Sequence, residues 1–349
     1  MGMIKLPIGA IDFFKDNQDK VFESGALAEG SWNQEVQKYI VEYTDSKSAL
    51  ATSSNGTGLL SVLHALKYGH GYDDIFLQSN TMYGMKTLAI SSGLNLAGFV
   101  DCELKTLMPS LESVQRFVDN LDSPEKSVFL LTHIGGWANP EIEEIANYCH
   151  QNNIALVEDC AHSLGTTLGG RHTGTYGVAG VYSLYATKAI PVGEGGIVIM
   201  QDEEFGDQIQ RYSIYDRFQQ TQNFGINNRM SEINALLTYS VLQYLDDIIE
   251  NKYLIANQYI EACNRLGIHF FDPTADGQRS NLYKFILFDD QAFNFDQLNT
   301  KTSPVYDYSL GNDPEDICSK HICLPIWYGL EQKEIDKVKD IQICFCSFK

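Results

Sequence analysis

Positive charge is scarce in this sequence: 25 lysines and arginines stand against 45 aspartates and glutamates, a formal net charge of −20. So acidic a chain is unsuited to nonspecific contact with nucleic acid or an anionic membrane, and an anionic substrate would need a locally positive pocket. Long apolar runs are missing as well. None approaches the roughly 20 residues that a bilayer-spanning helix needs, and the opening MGMIKLPIGAIDFFKDNQ lacks the long apolar core of a signal peptide. A soluble, cytoplasmic protein without nucleic-acid or membrane partners is expected. No standard metal pattern is present either. The cysteines are scattered, and the one clustered set, Cys318, His321 and Cys323 with Cys344 and Cys346 further on, fits no usual zinc spacing. Reduced packing cysteines are expected, and no metal. There is no internal repeat, low-complexity tract or coiled-coil heptad.

What is present describes a globular chain. Apolar residues make up 44% and charged residues 20% of 349 positions, enough for a sizeable core and long enough to favour two domains. The most informative stretch runs from Leu156 to Met200, LVEDCAHSLGTTLGGRHTGTYGVAGVYSLYATKAIPVGEGGIVIM. An apolar run ends in Glu158 and Asp159, a second covers Ala179 to Leu184, and Lys188 follows in a loop closed by Gly193-Glu194-Gly195-Gly196 before a third run. A pyridoxal phosphate (PLP) enzyme needs a lysine amine for the Schiff base and a carboxylate that keeps the pyridine nitrogen protonated. Lys188 and Asp159 suit those roles, and Ser183 can offer its hydroxyl to the cofactor phosphate. Singly, each has a plainer reading, a solvated lysine or a helix-capping aspartate; as a set they point to one cofactor held from two sides.

Strands and helices alternate over about 50–200. A strand is expected at Ile75 to Gln78, a helix to about Ser92, strands at Leu96 to Val100 and Ser127 to Thr132, a helix in EIEEIANYCHQNN and a strand in IALVED. That alternation argues for a mostly parallel, doubly wound sheet. Trp32, Val36, Ile40 and Tyr43 mark the inner face of a helix over about 32–44. In SSNGTGLLSVLHALKYG the small polar residues lead into an amphipathic helix, placing Gly56 and Thr57 at a helix N-terminus, where backbone N–H groups and the helix dipole favour a phosphate. An ordinary capped helix is the plainer alternative. HIGGWANP should be a loop at the carboxyl edge of the sheet, where α/β proteins place ligands; His133 and Trp137 there are either pocket-lining or structural. From Ser231 to about Leu266 the helical period continues unusually far, with a break expected near Asp246–Asp247. Beyond it LYKFILF reads as a strand, FNFDQLN as a short helix and EQKEIDKVKDIQ as a solvated helix. The division expected is a large domain over 1–245 and a smaller C-terminal α/β domain over 246–349.

Glu158-Asp159-Cys160-Ala161-His162, Ser183 to Lys188 and Gly193 to Gly196 together resemble the signature of the DegT/StrS-type sugar aminotransferases, fold-type I enzymes that use PLP. SGALAEG (Ser24 to Gly30), FGINNRMSEINALL and CLPIWYGL resemble other family segments, so the likeness runs from about Ser24 to Leu330. The resemblance implies that Ser183, Gly56 and Thr57 bind the PLP phosphate and that His162 contacts the ring oxygen. It implies too that Asn227 reaches the phosphate of a partner subunit, giving a homodimer with shared active sites. The family stacks an aromatic residue on the cofactor just after the loop threonine. Here Met82 holds that place, and Tyr83 is expected to serve instead. Ping-pong transfer from an amino donor, usually glutamate, to a nucleotide-linked 3- or 4-ketosugar follows, with Lys188 as general base. Alternatives are a non-sugar carbonyl substrate, a non-catalytic relative, and a sugar dehydratase, which carries histidine in place of Lys188.

Overall fold

The computed structural model describes residues 4–221, 224–288 and 303–339. Two helices, α1 (Ile8–Ser24) and α2 (Ser31–Thr44), precede β1 (Ser48–Thr52) and α3 (Asn55–His64), which runs on into a π turn over Ala65–Gly69. Then come β2 (Asp74–Gln78), α4 (Tyr83–Ser91), β3 (Asn95–Val100), α5 (Leu111–Val118), β4 (Ser127–Thr132), α6 (Ile142–Gln151) and β5 (Ala155–Cys160). Short strands β6 (Thr167–Leu168) and β7 (Arg171–His172) lead to β8 (Ala179–Ser183), β9 (Gly196–Met200) and α7 (Glu203–Tyr212). The chain continues through α8 (Glu232–Leu242), α9 (Leu245–Leu266), β10 (Gln278–Arg279), β11 (Phe285–Phe288), β12 (His321–Leu324) and α10 (Gln332–Lys339).

Seven strands form the main sheet in the order β1-β9-β8-β5-β4-β2-β3. The four pairings from β8 across to β3 are parallel, and β9 runs antiparallel to both β8 and β1. The mostly parallel sheet read from the sequence is therefore present, and β4, β5, β8 and β9 are buried at every residue, as strands covered on both faces must be. Alternate residues feed different cores. Leu130, Val157, Val181 and Val198 pack with Leu59, Val62 and Ile209 from α3 and α7. On the other side Phe129, Leu131 and Leu156 meet α5 and α6, while Tyr182, Ile197 and Ile199 meet Val36, Ala235 and Val241. A separate core joins Ile255 and Tyr259 of α9 to Phe285, Leu324 and Ile335, around the antiparallel pair β11–β12.

Two details depart from the reading of the sequence, and a third residue, His321, has its partners defined. Helix α1 has no counterpart there, because its stable packing comes from α8 and only Ala10 and Val21 are fully buried along it. The long helical period breaks at Gln243–Tyr244, two residues before Asp246–Asp247; both aspartates fall in the first turn of α9, where the helix dipole favours carboxylates. His321 is no ligand-like residue: its buried ring hydrogen-bonds the Ile317 carbonyl through Nδ1 at 2.7 Å and accepts the Val305 N–H at Nε2, 2.9 Å. The FNFDQLN helix and Cys344 and Cys346 lie outside the described residues. No helix among those described is long and apolar enough to cross a membrane.

One buried carboxylate fastens the N-terminal layer to the rest. Glu232, at the start of α8, accepts N–H bonds from Gly30 (2.9 Å), Trp32 (2.6 Å) and Asn33 (3.3 Å), and a side-chain bond from Asn33 (2.8 Å). Those amides are the open donors at the N-terminus of α2, which no side chain of its own turn caps. Glu232→Ala leaves them buried and unsatisfied, and a loss of about 2–4 kcal/mol of unfolding free energy is expected in urea titrations.

Candidate active site

The carboxyl ends of β2, β4, β5 and β8 share one edge of the sheet, and the polar groups of interest collect there. Asp159 sits near the end of β5, 2% exposed. Its Oδ1 accepts from the Asn55 side-chain amide at 3.2 Å and from the Ala161 N–H at 3.1 Å, and its Oδ2 from the Thr132 hydroxyl at 3.4 Å. Thr132 in turn shares a hydrogen bond of 2.8 Å with Thr81. Burial raises the Asp159 carboxyl above the usual range, although these donors and Lys188 pull the other way. Glu158, one residue earlier, faces the opposite side. It takes the N–H groups of Gly174, Tyr176 and Gly177, each at 2.7 Å, and His133 Nε2 at 2.8 Å. His133 and Glu158 are thus a hydrogen-bonded brace for the turn before β8, with Cys160 packed beside them, and His133 is structural.

Lys188 occupies the loop between β8 and β9. Backbone bonds from Leu184 to Gly195 (2.9 Å) and from Ala186 to Gly193 (3.0 Å) close that loop. Positive φ at Gly193 (100°) and Gly195 (155°) lets it turn where a side chain would be strained. Gly196 serves close approach instead. A Cβ there would fall 2.5 Å from the backbone carbon of Ser54, so β9 begins directly against the turn that opens α3. The Lys188 amine is buried, which lowers its pKa despite the raising influence of Tyr283 and Asp159. A lysine so placed reaches its neutral, nucleophilic form more readily than one in water.

The turn before α3 is a closed capping box in which Ser54 Oγ accepts the Thr57 N–H at 3.1 Å and Thr57 Oγ1 accepts the Ser54 N–H at 3.1 Å. Ser53 Oγ joins it at 3.0 Å from Thr57 Oγ1. A Cβ on Gly56 would meet nothing nearer than 3.7 Å, so the helix start at Gly56 is open. Asn228 secures the turn from below, donating to the Thr57 carbonyl (3.0 Å) and to Ser61 Oγ (2.7 Å). Asn227, next in the chain, points the other way and is exposed, with its Oδ1 held by Arg229 Nε at 2.9 Å. Ser183, at the end of β8, is buried and its Oγ accepts the Tyr185 N–H at 3.3 Å.

His162 is buried, and burial, with Lys188 and Lys284 nearby, holds its imidazole well below the ordinary pKa. Its Nδ1 accepts the Gly135 N–H at 3.3 Å, so the proton of the neutral ring belongs on Nε2, which faces the Tyr306 hydroxyl at 3.5 Å. Tyr83 is 59% exposed and Met82 45% exposed. The Tyr83 ring lies against the Lys86 ammonium at 5.9 Å, and its N–H donates to the Tyr308 hydroxyl at 2.8 Å.

Asn55, Thr132, Tyr283, Tyr306 and Tyr308 thus join this neighbourhood without having been singled out for it in the sequence. Asn55 alone carried a usable signal, as the residue beside Gly56. The tyrosines come from the distant C-terminal part of the chain. Of these Tyr283 packs against Lys188 and lines a cavity of only about 20 Å³ there, whereas hollows of about 700 and 900 Å³ elsewhere share no lining residue with it.

The donor set suits PLP: an amine, a buried carboxylate facing the same edge, hydroxyls at Ser183 and Thr57, and an open helix N-terminus at Gly56. Comparison with known proteins agrees. A model of the DegT/DnrJ/EryC1/StrS aminotransferase family matches residues 11–341. The fold is similar to that of DesI in the presence of its TDP-sugar product, at 21% identity and a TM-score of 0.84 over 96% of this chain and 91% of that one. Helicobacter pylori PseC, an aminotransferase involved in pseudoaminic acid biosynthesis, matches at 18% identity and TM-score 0.82 over 97% and 96%. Bacillus subtilis NtdA with bound PMP matches at 17% and 0.83 over 96% and 81%.

Asp159 supplies a test that needs no substrate. A carboxyl whose folded pKa is raised above its unfolded value costs stability once pH exceeds the unfolded value, and the cost is absent below it. In cofactor-free protein Asp159→Asn should therefore melt about 2 °C or more higher at pH 7. Melting curves taken down to pH 3 should show that advantage disappearing.

Proposed function

Because the chain belongs to the DegT/DnrJ/EryC1/StrS aminotransferase family, whose cofactor is PLP, we propose that this aminotransferase moves an amino group from an amino acid, glutamate first among them, to a ketosugar. A nucleotide-linked 3- or 4-ketodeoxysugar is the acceptor this reading favours. The observation that carries it is the pairing of Asp159 and Lys188 across one sheet edge beside an open helix N-terminus. The likeness to DesI and PseC, described with a TDP-sugar and with pseudoaminic acid synthesis, supports the sugar as acceptor.

In this reading Lys188 would hold the cofactor through its amine and, when free, would serve as the general base that moves a proton. Bound PLP supplies an electron sink for the carbanion formed at the amino-bearing carbon. Asp159 would accept the pyridine N–H, its carboxylate held in place by Asn55 and Thr132. Gly56, Thr57 and Ser183 take the phosphate, His162 the ring oxygen, and Tyr83 the ring face. Asn227, exposed on a single copy, reaches the phosphate of a second copy, so the working unit is a homodimer. Residues 1–245 then form the cofactor-binding domain and 246–349 a smaller C-terminal domain.

The loaded protein should absorb at about 410–430 nm. Lys188→Ala should lose that band and lower turnover by a factor on the order of 10⁴ or more; undiminished turnover would sink the assignment. Incubation with glutamate and a panel of 3-keto and 4-keto sugar nucleotides should release 2-oxoglutarate with at least one acceptor. Release with none of them would point to a non-sugar carbonyl instead.

A further inference from the structure

Tyr283 is anchored by its own backbone, by the next residue and by its ring. Its N–H is bound by Asn281 Oδ1 at 2.9 Å, and the Asn281 amide donates to the carbonyls of His162 and Leu164, each at 2.9 Å. Gly136 makes room for this junction, since a Cβ there would lie 2.4 Å from Asn281 Oδ1 and 2.7 Å from the Tyr283 nitrogen. The next residue is tied as well, Lys284 N–H donating to the Gly135 carbonyl at 2.9 Å. The ring stacks on His162 with centroids 4.3 Å apart and planes 24° apart.

This fixed ring points at the catalytic lysine. Lys188 Nζ donates to the Tyr283 hydroxyl at 3.3 Å, the one hydrogen bond it makes among the described residues, and lies 4.4 Å from the ring centroid. Thr187 Oγ1 shares the same hydroxyl at 3.5 Å. We propose that Tyr283, arriving from the C-terminal part of the chain, is the positioning residue of Lys188, directing its amine and setting how readily that amine gives up its proton. The proposal rests on Lys188 being the cofactor lysine, and the geometry gives it two handles. The hydroxyl fixes the direction of Nζ, and the ring face favours the ammonium form by cation–π attraction.

The electrostatic neighbours of the pair are few. Asp159 faces Lys188 from β5, Lys284 lies 5.2 Å from the Tyr283 ring, and Lys5 and Lys252 line the same small cavity. Burial would raise the Tyr283 phenol, yet Lys188 and Lys284 bring it below its ordinary value. Reciprocally, Tyr283 is the largest influence raising Lys188 against the lowering effect of burial. Removing the hydroxyl should therefore let Lys188 deprotonate at lower pH.

Cofactor-free protein can be reductively methylated with formaldehyde and borohydride across a pH series, and the modification at Lys188 read by mass spectrometry. Tyr283→Phe, which keeps the ring against His162, should move the midpoint down by about half a unit to one unit. In the loaded enzyme the same variant should retain the visible band and lose about ten- to a hundredfold in kcat, with KM little changed. Difluorotyrosine at 283, with a more acidic phenol and nearly unchanged shape, should shift the Lys188 midpoint the opposite way, and it answers the question even where the Phe variant folds poorly. An unmoved midpoint in either protein overturns the proposal. A wild-type protein without the visible band would refute the function instead, and the methylation titration would still decide the part played by Tyr283.

Discussion

The carboxylate of Asp159, shut away from water at the end of β5, is the constraint around which the rest is arranged. A buried charge without partners is costly, and a sheet interior offers few donors. The chain supplies them from three places: Asn55 at the start of α3, Thr132 at the end of β4, and the Ala161 amide. Each brings its own element to the same edge, so the carboxylate both needs the site and assembles it. Its neighbour Glu158 makes the contrast plain. Strand alternation sends it to the other face, where four donors meet its two oxygens. One acid is satisfied and builds structure; the other is left less well paired, which suits a group whose full partner would be a cofactor N–H.

The same economy governs the glycines. Gly196 permits β9 to touch the backbone of the Ser54 turn, and Gly136 permits Asn281 and Tyr283 to dock. Both are close-approach positions joining segments far apart in sequence. One joins two parts of the main sheet, while the other ties the distal part of the chain to the loop after β4. Side chains at either position would move the turn at Ser54 or the Tyr283 ring before they disturbed Lys188 or Asp159.

How legible this was in the sequence follows from how local each feature is. The strand ending in Asp159, the Lys188 loop with its glycines, and the capped turn before α3 each lie within a short window, and each has a physical reason for its residue types. Those elements appear in the fold at nearly the expected bounds, and the family relation follows from them. Tyr283 left no such trace. It lies in LYKFILF, readable as a strand, and nothing about that strand predicts an encounter with Lys188; the meeting is made by Asn281 and by the packing of α9 and β11. Helix α1 was missed for the same reason, since its partner α8 lies some two hundred positions away in sequence. The Asn227–Asn228 pair is intermediate: the motif marks Asn227, but only the fold shows Asn228 turned inward onto Thr57 and Asn227 turned out.

Charge balance bears on the substrate as well. A chain with a net charge of −20 repels anions over most of its surface, yet Lys188, Lys252 and Lys284 converge around Tyr283, and none of the three has a carboxylate within ion-pair distance among the described residues. Lys252 is wholly buried with the Asn281 carbonyl at 3.2 Å, and burial lowers its pKa to about 8. Leaving three amines this close without carboxylate partners costs stability. Such a cost is tolerable where bound ligands bring the missing negative charge, and phosphate- or carboxylate-bearing molecules do so. The local excess of positive charge therefore belongs to the same logic as the under-paired Asp159: each leaves charge that an oppositely charged ligand group would balance.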